Sequence, residues 1–116
     1  MNRRSFFSWF SLGLAGKVET TEEKIGLDLR TVIDILTDYS VVHQTTPLLG
    51  GYLGLTDYRE RTIYVSDKSD LADRRDTIIH EMLHVLVRLK GLKDIEETMI
   101  ERRARQIYTS LYGGTE

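Results

Sequence analysis

The chain has 116 residues, no cysteine, 16 basic residues against 18 acidic ones and a net charge of −2. This length suits one domain with its own core. The missing cysteines exclude a disulfide framework and a thiolate zinc site, so any metal must be held by His, Asp, Glu or water. The charge balance lacks the strongly basic footprint of a nucleic-acid-binding domain, and nucleic acid is not an expected partner.

In chain order, residues 1–19 form a distinct N-terminal segment. Arg3 and Arg4 precede an apolar stretch of about 11 residues, broken by Ser8 and Ser11 and too short to span a bilayer as a helix. Arg3-Arg4-Ser5-Phe6-Phe7 resembles the start of a twin-arginine export signal. The expectation is a segment packed on the domain of a cytoplasmic protein. The alternative is export, or membrane association through this segment alone.

The domain proper is expected over residues 20–112, with residues 113–116 as a tail. Thr20-x-x-Glu23 reads as a capping box, and Ile25, Leu29, Val32, Ile33 and Leu36 recur at helical spacing towards residues 38–40. Residues 41–45 can form a short strand. Two further strands, residues 52–56 and 62–66, flank a polar hairpin connection. Ser69 or Asp70 caps a long helix that ends near Lys90, with Gly91 as its stop. Asp94 can cap a final helix through about Tyr112. This order predicts an α+β domain in which a small antiparallel sheet or hairpin packs on a long helix.

The chemistry is concentrated in that long helix, in His80-Glu81-Met82-Leu83-His84. Histidines four apart lie about 40° apart around a helix and about 6 Å apart along it, so both can reach one ion. Glu81 lies on the adjoining flank, where it can take a proton from water without occupying a metal position. A catalytic zinc site usually has a third protein ligand. The final helix offers Glu96, Glu97 and Glu101. Glu101 is preferred, with Glu97 next, because the small Ala104 three residues later lets the two helices approach closely. Ile100, Ala104, Ile107 and Leu111 form the apolar stripe of this helix. Tyr52, Tyr108, Tyr112 and His43 are candidates for stabilising an oxyanion.

His80-Glu81-x-x-His84 with a downstream Glu101-x-x-Ala104 resembles the gluzincin arrangement of zinc peptidases. It is closest to the small IrrE/ImmA-type metallopeptidase domain of bacteria and phages. Gly51-Tyr52, Ile63-Tyr64-Val65 and Arg74-Arg75-Asp76-Thr77-Ile78-Ile79 are similar to that family's hairpin and its entry into the metal helix. The likeness covers residues 50–111. Leu83 stands where the family often has glycine, and the additional histidines that often follow are missing. The resemblance implies a zincin-like fold and a Zn²⁺ site of His80, His84 and Glu101, with Glu81 as general base. It implies hydrolysis of a protein or peptide substrate, a regulatory protein being one candidate. A zinc-stabilised regulatory or binding module without turnover is the alternative.

Overall fold

The computed structural model describes residues 24–45, 47 and 49–113. The expected capping box at Thr20 and the twin-arginine-like segment lie outside the described residues. Helix α1 spans Leu29–Asp38, and strand β1 follows at Ser40–Gln44. A short 3₁₀ turn at Leu49–Gly51 leads to β2 (Gly54–Asp57) and β3 (Thr62–Ser66). Helices α2 (Leu71–Lys90) and α3 (Glu97–Tyr112) complete the described elements. The α+β class is as expected. No helix among the described residues is long and apolar enough to cross a membrane.

The sheet departs from the expected antiparallel arrangement. Its order is β1-β3-β2, with β2 antiparallel to β3 but β1 parallel to it. The hairpin pairs β2 with β3, as read from the sequence. Its turn is held by the Asp57 carboxylate, which accepts from the backbone N–H groups of Arg59 and Glu60, both at 3.0 Å. β1 arrives from α1 on the far side of β3. It enters through a hydrogen bond from Ser40 N to Arg61 O at 3.0 Å, which sets Val41 opposite Ile63.

Helix α1 starts later than expected. Asp28 caps it by accepting from Thr31 N at 2.8 Å, a side-chain bond that relieves an orphan N–H group of the first turn. Ile25, expected within this helix, lies before it, buried against α2 and α3.

The central helix is α2. Asp70 caps it by accepting from Asp73 N at 2.8 Å. Gly91 ends it in the left-handed conformation (φ 64°). Bonds from Gly91 N to Arg88 O and from Leu92 N to Val87 O close the Schellman pattern. Two of its faces are apolar. Ile79, Leu83 and Leu86 meet Ile25, Ile100 and Ala104, and this packing docks α3. Met82 and Val85 meet Ile35, Tyr39, Ile63 and Val65, which docks the sheet and α1. Ala104 is fully buried, so the close approach inferred from its small size is present. Leu111, at the end of the expected stripe, is instead 65% exposed. The remaining face of α2 carries Thr77, His80, Glu81 and His84.

Candidate metal centre

The polar face of α2 forms one wall of a cleft of about 650 Å³. Residues 52–56 of the β2 edge lie on one side and Glu97 and Glu101 of α3 on the other. Gly54 makes the near wall possible. A Cβ there would stand 2.3 Å from Thr77 Cγ2 and 3.2 Å from Glu81 Cγ, so no side chain fits where β2 crosses α2.

His80 and His84 lie on one helix, one turn apart, with their Nε2 atoms 3.2 Å from each other. Glu97 reaches both. Its Oε2 is 2.7 Å from His80 Nε2 and its Oε1 is 3.0 Å from His84 Nε2. The carboxylate brought to the histidines is therefore Glu97, and the position expected for Glu101 is taken by the residue one helical turn earlier. The cause is local. The cap of α3 is Glu96 rather than Asp94, which adopts a left-handed conformation (φ 61°) in the connection. Glu97 is thus the first helical residue, at the end of α3 that meets the histidines. Glu101 lines the same cleft.

The donor set fits a zinc ion. His80, His84 and Glu97 each offer one ligand atom, all within 4.8 Å of one another. A tetrahedral ion with bonds of about 2.0–2.1 Å separates its donors by roughly 3.3–3.4 Å, close to the 3.2 Å between the two Nε2 atoms, and each Nε2 has one Glu97 oxygen beside it. Protons alone satisfy this arrangement poorly. Two hydrogen bonds to Glu97 require both Nε2 atoms to carry hydrogen while facing each other at 3.2 Å.

Glu81 stands apart from this group. Its Oε1 accepts a hydrogen bond from Thr56 Oγ1 at 2.6 Å, which ties the carboxylate to β2 and leaves Oε2 towards Gly54. Asp76 and Glu101 add to an acidic lining that contains no lysine or arginine among the described residues. Asp76 Oδ1 is buried without a hydrogen-bond partner, and its Oδ2 lies 3.7 Å from Arg105 Nη2.

Comparison with protein-family models, curated proteins and solved structures finds no match for this chain. The resemblance to the IrrE/ImmA-type domain therefore rests on the residues quoted for it.

Of the four candidate oxyanion stabilisers, Tyr52 lines the cleft. Tyr108 and Tyr112 pair with each other at 5.0 Å, and the Arg75 guanidinium covers Tyr112. His43 sits on β1, across β3 from the cleft-lining strand. Sequence reasoning missed Tyr58 and Thr56, which also line the cleft. Tyr58 packs against the sheet-side core, with Arg88 stacked 4.4 Å from its ring centre. Burial, then the negative charge of Glu81, raises its phenol above the ordinary tyrosine value, against the opposing charge of Arg88. The place of Tyr58 in a polar hairpin turn offered no periodicity by which to find it.

Proposed function

We propose that the protein is a zinc-dependent peptide hydrolase in which His80, His84 and Glu97 hold the ion and Glu81 is the general base. The observation that carries this reading is the convergence of three donor atoms beside a fourth, separately anchored carboxylate. A bound zinc ion would supply Lewis acidity, acidifying water and polarising the scissile carbonyl.

The protein's own groups do the rest. Thr56 fixes one oxygen of Glu81, so the other accepts a proton from water as the water adds to the carbonyl carbon. Glu81 then delivers that proton to the leaving amine as the C–N bond breaks. The cleft is lined by Tyr52 and Leu53 and by residues 54–56 of β2, an edge strand whose one partner in the described sheet is β3. That edge suits an extended peptide, which can add as a further strand. The acidic lining favours peptides with basic side chains near the cleaved bond over acidic ones.

Metal analysis of purified protein after zinc loading tests the ligand set. Wild type and Glu101→Gln should carry stoichiometric zinc, and His84→Ala and Glu97→Gln should lose it. Zinc retained in Glu97→Gln but lost in Glu101→Gln would return the third position to Glu101. No zinc in wild type would end the hydrolase reading. In a zinc-loaded sample, Glu81→Gln should keep the metal and abolish peptide turnover. Wild-type protein that binds zinc but cleaves nothing would instead be the regulatory module.

A further inference from the structure

A second cavity, of about 470 Å³, shares no lining residue with the metal cleft. It is a groove between α1 and α3 with α2 as its floor. Ile79 and Met82 lie at the bottom, Leu27, Leu29 and Val32 on one wall, and Ile107 and Leu111 on the other. Its rims are open to solvent and carry Leu29, 75% exposed, and Leu111, 65% exposed, beside the polar Asp28, Gln106 and Ser110. Ile33 and Leu36 extend the exposed stripe along α1 at helical spacing. Contiguous apolar surface of this kind marks an interaction site rather than ordinary scatter.

The chain carries a matching occupant. All three phenylalanines and the single tryptophan fall at Phe6, Phe7, Phe10 and Trp9, joined by Leu12 and Leu14. The described residues contain neither phenylalanine nor tryptophan. The first described residues lie beside the groove. Ile25 is fully buried, and Leu27 and Asp28 themselves line the cavity. Twelve residues separate Leu14 from Leu27, a tether that reaches up to roughly 40 Å when extended. Such a tether gives an effective concentration in the millimolar range without any intermolecular encounter.

We propose that residues 6–14 dock intramolecularly into the groove between α1 and α3, where their aromatic side chains cover the exposed Leu29 and Leu111. This surface is separate from the metal cleft, and the inference holds or fails independently of the hydrolase reading.

Trp9 is the only tryptophan, so its fluorescence in the full-length chain reports on this segment alone. Dilute protein without lipid should show blue-shifted emission and protection from acrylamide quenching, unchanged on further dilution. Leu29→Asp and Leu111→Asp alter exposed side chains and should leave circular dichroism and zinc content intact. Each should shift the emission to the red and remove the protection. Leu89→Asp, at an exposed position outside the groove, should do neither. Solvent-exposed emission in wild type would overturn the proposal. So would protection that appears only at high concentration, which means a second copy, or only with anionic vesicles, which means a membrane. Protection that survives both groove variants would place the segment elsewhere.

Discussion

Glu97 and Glu101 differ by one helical turn, and that turn decides which carboxylate meets the histidines. Four residues rotate a helix by only about 40° beyond a full turn, so both residues belong to one face. Their spacing therefore lets either of them face the histidines. The choice between them is an axial displacement of about 6 Å, set by where α3 begins and how it docks on α2. His80, Glu81 and His84 were legible because their geometry is internal to one helix. Thr56 was not, because its bond to Glu81 joins residues 25 apart in sequence. Under the proposed mechanism Thr56→Val should lower kcat with little change in KM, because the Thr56 hydroxyl is bonded to Glu81. An equal loss through KM alone would mean that Thr56 contacts substrate instead. At the neighbouring position, Gly54→Ala forces a methyl group against Thr77 and must displace β2 or α2. A cost of about 1–3 kcal/mol is expected, read by denaturant unfolding, together with weakened activity from the shifted Glu81.

At the scale of elements, the best-read boundaries are those marked by a residue whose physics is local. Asp70 and Gly91 bracket α2 as expected, one by side-chain capping and the other by its left-handed conformation. Gly91→Ala keeps the helix but places a Cβ at φ 64°, and should cost about 1–2 kcal/mol in the same unfolding measurement. At the start of α1, hydrogen bonding to Thr31 lowers the pKa of Asp28, the backbone bond contributing most. Because the folded-state value is the depressed one, this cap stabilises the protein fully above the ordinary aspartate range. The contribution is lost as pH falls through that range to the folded value. Asp28→Asn should flatten the acid side of the stability profile, between about pH 5 and pH 2, and a profile parallel to wild type would refute this. The sheet was read least well. A hairpin is signalled by a turn between two strand-like runs, but the parallel pairing of β1 with β3 spans 22 residues and carries no local mark.

At the scale of the whole molecule, α2 serves three partners at once: α3 and the sheet through its apolar faces, and the cleft through its polar one. Zinc held by His80, His84 and Glu97 would tie α2 to the start of α3, so metal binding and folding must be linked. Free zinc at 100 times its Kd should stabilise the fold by about 2.7 kcal/mol, seen as a rise in Tm. That rise should vanish in Glu97→Gln. A zinc-induced shift of the same size in that variant would show that the ion binds elsewhere.

By itself the sequence determined the α+β class, the hairpin, the limits of α2 and the set His80, Glu81 and His84. Each of these depends on neighbours within a few residues, where helical period, capping and turn chemistry act directly. Only the tertiary structure decided the parallel edge of the sheet, the selection of Glu97, the anchoring of Glu81 by Thr56 and the placing of Tyr58 at the cleft. These depend on how separate elements dock, and docking follows the joint shape of two buried cores that no single segment encodes.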